Sequence, residues 1–110
     1  MIPYQISVTE LKRKLDAEDP VYLIDCREPA EYEMARIEVA ELIPMNSTPQ
    51  HLPAIKEMAV DRSVVVYCHH GVRSMTVVNW LRNQGIENAQ SMEGGIEAWS
   101  ILIDPNVPRY

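Results

Sequence analysis

A chain of 110 residues, 46% of them apolar, is one domain of ordinary size with enough apolar mass for a real core. Its formal net charge of −6 disfavours nucleic acid and anionic membranes as partners and gives small anions no attraction at long range, so an anion site has to be built from local groups. No stretch is apolar for long enough to span a bilayer, and Met1-Ile2-Pro3-Tyr4-Gln5 lacks the basic-then-apolar order of a secretory signal; the expectation is a cytoplasmic protein, a single domain over residues 1–110, with its cysteines reduced.

In chain order, Ser7-Val8-Thr9-Glu10 has the form of a capping box. Leu11 and Leu15 follow at helical spacing, with Lys12, Arg13 and Lys14 as a solvated face, which predicts an amphipathic helix over 8–17. Asp19-Pro20 breaks it. Val21-Tyr22-Leu23-Ile24 is a continuous apolar run, as in a strand buried on both faces. After Asp25-Cys26-Arg27, Glu28-Pro29-Ala30-Glu31-Tyr32 reads as a helix start with Pro29 at the first helical position. Ala40 to Pro44 is a second brief strand, and Met45 to Thr48 a loop. Gln50 to Ala59 is a helix with Leu52, Ile55 and Met58 on one side and Pro53 near its start, where proline is tolerated.

Ser63 to Tyr67 is predicted as the central strand. A short polar loop leads into a helix from Met75 to Gln84, whose stripe is Val77, Val78, Trp80 and Leu81, and Gly85 follows at a left-handed stop. Ala89 to Met92 is a short strand, Glu93-Gly94-Gly95 a turn, and Ile96 to Leu102 a last helix carrying Trp99. Trp80, Trp99 and the methionines are assigned to the core. The proline-rich tail, 103–110, is expected to be extended on the surface or frayed. The acidic scatter Glu28, Glu31, Glu33, Glu38 and Glu41 reads as a solvated face. Strands and helices alternate, which argues for an α/β fold with a central parallel sheet and helices on both faces. Ligands then bind at the carboxyl ends of the strands, where Cys68 falls.

Cys68-His69-His70-Gly71-Val72-Arg73-Ser74 is the constellation that carries chemistry. A thiol at a strand's end, before a helix, meets backbone N–H groups and the positive end of a helix dipole. Both stabilise the thiolate and lower its pKa, which makes Cys68 a candidate nucleophile. Gly71 supplies a backbone conformation other residues resist. Arg73 adds fixed charge and several donors, and His69 and His70 add further donors. A metal site is not expected, since adjacent residues seldom converge on one ion and His51 stands alone.

Val65-Val66-Tyr67-Cys68-His69-His70-Gly71-Val72-Arg73-Ser74 resembles the active-site loop of the rhodanese (thiosulfate sulfurtransferase) family. Leu23-Ile24-Asp25-Cys26-Arg27-Glu28-Pro29-Ala30-Glu31-Tyr32 resembles its Asp-x-Arg signature. Trp80-Leu81-Arg82 with Gly85, and Gly94-Gly95-Ile96-Glu97-Ala98-Trp99, resemble later landmarks in the same order. The resemblance implies a rhodanese-like fold without metal or organic cofactor. Cys68 would take a sulfane sulfur from thiosulfate or a persulfide donor and pass it to cyanide or a thiol, a protein persulfide being a further candidate donor or acceptor. The loop amides from His69 to Ser74 would hold the charge, with Arg73 assisting. Asp25 and Arg27 would be structural, Arg27 pairing with a nearby acid such as Glu31.

The chain departs from the family where His-Ile-x-Gly-Ala is usual: Arg36-Ile37-Glu38-Val39-Ala40 stands there, which puts the local backbone in question and not the nucleophile. Rhodanese-like phosphatases and arsenate reductases share the fold with a loop one residue longer between Cys and Arg; the shorter Cys68–Arg73 spacing suits sulfur. A non-enzymatic docking module is the other alternative. Cys26 reads first as a small buried apolar residue. The competing reading is a second thiol, on a strand close to that of Cys68, able to resolve a persulfide as a disulfide.

Overall fold

The computed structural model describes residues 2–110. Strands β1 (Gln5–Ile6), β2 (Val21–Asp25), β3 (Glu41–Leu42), β4 (Ser63–Tyr67) and β5 (Gln90–Met92) form one sheet in the order β1-β5-β4-β2-β3, with every pairing parallel. Helices α1 (Val8–Asp16), α2 (Pro29–Met34), α3 (Thr48–Ala59), α4 (Val72–Asn83) and α5 (Gly95–Leu102) connect and cover it. The expected α/β fold with a central parallel sheet and helices on both faces is the observed one, with β4 at the centre. β1 was not legible from residue pattern: two residues cannot show a period. It exists because Ser91 N–H donates to the Tyr4 carbonyl at 2.7 Å and Glu93 N–H to that of Ile6 at 2.8 Å.

Why the central strands read as unbroken apolar runs is visible in the two cores. On one face, Leu23, Val65, Tyr67 and Met92 pack with Leu11 of α1 and Ile96 and Trp99 of α5. On the other, Tyr22, Ile24, Val64 and Val66 pack with Ile55 of α3 and Val77, Val78 and Leu81 of α4. Val64, Val65 and Val66 are each 0% exposed, so both faces of β4 are covered and alternation is unnecessary. Each such side chain contributes about 1.5–3 kcal/mol of burial.

Two boundaries shift the residues that matter. A 3-10 turn, Met45–Ser47, occupies the expected loop, and α3 starts at Thr48. α4 begins at Val72, three residues before the predicted Met75, because Gly71 at φ 105° turns the chain from strand to helix at once. Arg73 and Ser74 therefore lie in the first helical turn. Across Arg36–Ala40 no residue adopts positive φ, so the turn forms without the family's glycine, and Ile37 and Ala40 are buried. Trp99 is buried as expected; Trp80 is only half-buried and lines a groove of about 280 Å³ with Met45, Thr48, Pro49, Thr76 and Val77. The tail is neither frayed nor merely superficial: Val107 is buried, and its carbonyl accepts from Ser100 Oγ at 2.5 Å. Among the described residues, no helix is long and apolar enough to cross a membrane.

Candidate active site

Cys68 follows β4 directly, and the loop after it ends at Gly71, where α4 begins. The Gly71 N–H donates to Cys68 Sγ at 3.1 Å and the Ser74 N–H at 3.4 Å. The Ser74 hydroxyl lies 3.4 Å from Sγ and 2.7 Å from the Ser91 hydroxyl, so β5 orders the side chain that faces the sulfur. The neighbouring Cys26 thiol is the largest cause that pulls the Cys68 pKa down. The Ser74 hydroxyl and the Ser74 and Gly71 amides add to it, and together they outweigh burial and hold the thiol at about 4. The same contact and its own burial push Cys26 strongly upward. The two thiols are thus shifted in opposite directions, Cys68 down and Cys26 up.

The loop is held from the outside by α5. Ile96 N–H donates to the Cys68 carbonyl at 2.9 Å and Glu97 N–H to that of His69 at 3.1 Å. A side chain at Gly95 would meet the His69 carbonyl oxygen at 2.3 Å, so only glycine lets α5 come this close. With two loop carbonyls tied to α5, the Gly71 and Ser74 amides are left for the sulfur. The Gly94-Gly95 turn, read from the sequence as a landmark, is therefore a support of the loop.

Asp25 and Arg27 build the floor beneath. Arg27 is fully buried and pairs bidentately with Asp25, Nε to Oδ1 at 2.9 Å and Nη2 to Oδ2 at 2.7 Å. It also donates to the Ala35 carbonyl at 2.5 Å and the Tyr110 hydroxyl at 2.8 Å. Tyr67 on β4 donates to Asp25 Oδ2 at 2.9 Å and accepts from Ile37 N–H at 3.2 Å, which pins the Arg36–Ala40 turn to the sheet. Every hydrogen-bonding direction of the pair is used, as a buried charge pair requires.

Two expectations are corrected here. Arg27 does not pair with the Glu31 carboxylate; the adjacent Asp25 reaches it first, and Arg27 meets only the Glu31 backbone carbonyl. Glu31 is not part of a solvated face either. It pairs bidentately with Arg73, at 2.7 and 2.9 Å, and accepts from the Tyr110 hydroxyl at 2.7 Å. Arg73 first and Tyr110 next draw its carboxyl down to about 2 against the opposing effect of burial. Arg73 is thus engaged by an acid and not left to the loop. His69 and His70 stack on each other at 3.9 Å, and Tyr110 stacks on His69 at 3.9 Å. His69 Nε2 is buried with no hydrogen-bond partner. Neither imidazole hydrogen-bonds Sγ, and Val72 is exposed. Of the predicted loop residues, Gly71 and Ser74 reach the sulfur, whereas His69, His70, Val72 and Arg73 form its rim. Ser91, Glu31 and Tyr110 were missed. Short polar residues in a strand, a helical glutamate and a terminal tyrosine carry no sequence signal for a site.

The sequence matches the family described as the Rhodanese-like domain over residues 7–102. The chain belongs to the rhodanese-like domain family. It is 37% identical over 111 residues to rhodanese-like/PpiC domain-containing protein 12 of Arabidopsis thaliana, covering 96% of this chain but 36% of that protein. It is 33% identical over 104 residues to thiosulfate sulfurtransferase GlpE of Pseudoalteromonas translucida, covering 94% of this chain and 95% of that one. A crystal structure of a rhodanese-like domain protein from Staphylococcus aureus superposes with a TM-score of 0.81 at 34% identity, covering 98% of this chain and 99% of the other. The chain therefore spans about a third of the first of these relatives and nearly all of the other two.

Proposed function

We propose that the protein is a sulfurtransferase that carries a sulfane sulfur on Cys68. The thiolate attacks the outer sulfur of a donor; with thiosulfate, the S–S bond breaks, sulfite leaves with its electron pair, and Cys68–S–S⁻ remains. An acceptor such as cyanide or a thiolate then attacks the outer sulfur and restores the thiolate. The observation that carries this reading is the buried cradle: Cys68 is 1% exposed, with the Gly71 and Ser74 amides aimed at its sulfur. Such a cradle holds negative charge on sulfur before and after transfer. The names of relatives such as thiosulfate sulfurtransferase GlpE agree with it.

Donor choice follows from Arg73. Its charge is balanced by Glu31, and the chain carries a net charge of −6. A dianion gains little beyond the loop amides, so a low-molecular-weight or protein persulfide suits the site at least as well as thiosulfate. The test is intact mass spectrometry with a donor panel. A gain of one sulfur, about 32 Da, that cyanide removes and Cys68→Ser abolishes is the expected result. No persulfide with any donor refutes the proposal.

A further inference from the structure

Two thiols stand side by side at the carboxyl ends of neighbouring strands, and the transfer above uses one. β2 and β4 pair from Val21 with Ser63 to Asp25 with Tyr67. The ladder continues one step further, where Cys26 N–H donates to the Tyr67 carbonyl at 3.0 Å. Cys26 and Cys68 are the next residue on each strand. Period-two alternation sends both to the same face, where they join one core cluster with Ile24, Val66 and Val78. Each is 1% exposed and each is a free thiol. Neighbouring strands lie about 4.8 Å apart, inside the Cα separation of about 4.4–6.8 Å that a disulfide spans. Filling a core does not require a thiol at this position, beside the nucleophile.

We propose that Cys26 is the resolving thiol of Cys68, displacing the leaving group from an oxidised Cys68 sulfur and closing a Cys26–Cys68 disulfide. The first leaving group rests on the persulfide reading. The Cys26 sulfur attacks Cys68 Sγ, the bond to the outer sulfur breaks, and that sulfur departs with the electron pair and the Cys26 proton as HS⁻. The sulfane sulfur is reduced to sulfide, and the two cysteines are oxidised to the disulfide. The second leaving group does not rest on that reading. A hydroperoxide converts the Cys68 thiolate to a sulfenic acid, and Cys26 displaces its hydroxyl as water. In both cases a dithiol reductant supplies two electrons and restores the thiols. The persulfide then ends as free sulfide when no acceptor arrives, and peroxide is stopped at a reversible state.

The test uses the reduced full chain, exposed in separate arms to thiosulfate or a persulfide donor without acceptor, and to hydrogen peroxide. Mass is read before and after a dithiol reductant, and sulfide is assayed. The expected course with a sulfur donor is a gain of about 32 Da, then a loss of about 2 Da from the reduced mass, with about one equivalent of sulfide. Peptide mapping should join Cys26 to Cys68. Peroxide should give the same cross-link. Cys26→Ala and Cys26→Ser should keep the persulfide, release no sulfide, and advance with peroxide to sulfinic acid at Cys68. If neither arm cross-links wild type, and peroxide takes Cys68 to sulfinic acid, the resolving role is overturned. A cross-link with peroxide beside no persulfide from any donor supports the resolving thiol and refutes the sulfur-transfer reading. The wild-type masses decide both points even if a Cys26 variant fails to fold.

Discussion

Replacing Ser74 by alanine removes one hydroxyl from the sulfur and leaves the Ser74 amide, 3.4 Å from Sγ, in place. A hydrogen bond to a charged group is worth about 1.5–3 kcal/mol, and one pKa unit is about 1.36 kcal/mol. The Cys68 midpoint should therefore rise by about one to two units from its value of about 4. The thiolate is the form that reacts, so wild type should lose alkylation rate only as pH falls toward about 4, and Ser74→Ala at a pH about one to two units higher. Near pH 7 the two should react almost alike. The assay is the pH dependence of iodoacetamide alkylation at Cys68, with thiolate ultraviolet absorbance as a second readout. Ser91→Ala leaves the Ser74 hydroxyl in place and should move the midpoint less. Coincident midpoints for wild type and Ser74→Ala would refute the assignment of this hydroxyl to the thiolate. The same depressed pKa contributes stability, in full above the unfolded thiol's value of about 8.5 and lost as pH falls toward the folded one.

Asp25→Ala leaves the fully buried Arg27 charge uncompensated and should cost about 3–5 kcal/mol in urea unfolding; a loss below about 1 kcal/mol would show the pair to be relaxed or hydrated. Arg73→Ala should weaken thiosulfate use about tenfold and spare an uncharged persulfide donor, because it leaves the Glu31 carboxylate unopposed at the rim. Glu31→Gln should move thiosulfate the other way by freeing Arg73, and equal effects of either change on both donors would sink this reading. Glu31 also contributes stability present above about 4.5, its unfolded range, and lost as pH falls toward about 2; Glu31→Gln should flatten acid unfolding in that window. Gly95→Ala should cost about 1–3 kcal/mol by overpacking and lower Cys68 reactivity, since its new carbon would strike the His69 carbonyl; unchanged reactivity would mean that α5 does not hold the loop.

Much of this architecture was readable along the chain. Ser63–Tyr67 and the start of α1 appear where pattern put them, because burial on both faces and a capping serine are written locally. The start of α4 was missed by three residues, because a glycine's freedom does not reveal that the chain will use it at φ 105° to begin a helix at once. Arg27 was matched to the wrong acid. The sequence shows Asp25 two residues away and Glu31 four away, and only the tight turn between β2 and α2 shows that Asp25 meets the guanidinium first.

Local order in the sequence was enough for a parallel α/β core and for a thiol at a strand's carboxyl end, since periodicity, caps and turn residues act over a few neighbours. The partners of that thiol were not. Ser91 lies 17 positions from Ser74, and Glu31 lies 42 from Arg73. Tyr110 lies 79 positions from Glu31. Cys26 was already expected on a strand close to that of Cys68, and the parallel register of β2 and β4 fixes the two as next residues on paired strands. Such contacts depend on strand order and helix placement, which the whole core decides. The tertiary structure therefore determined which groups surround the sulfur and what holds Arg73.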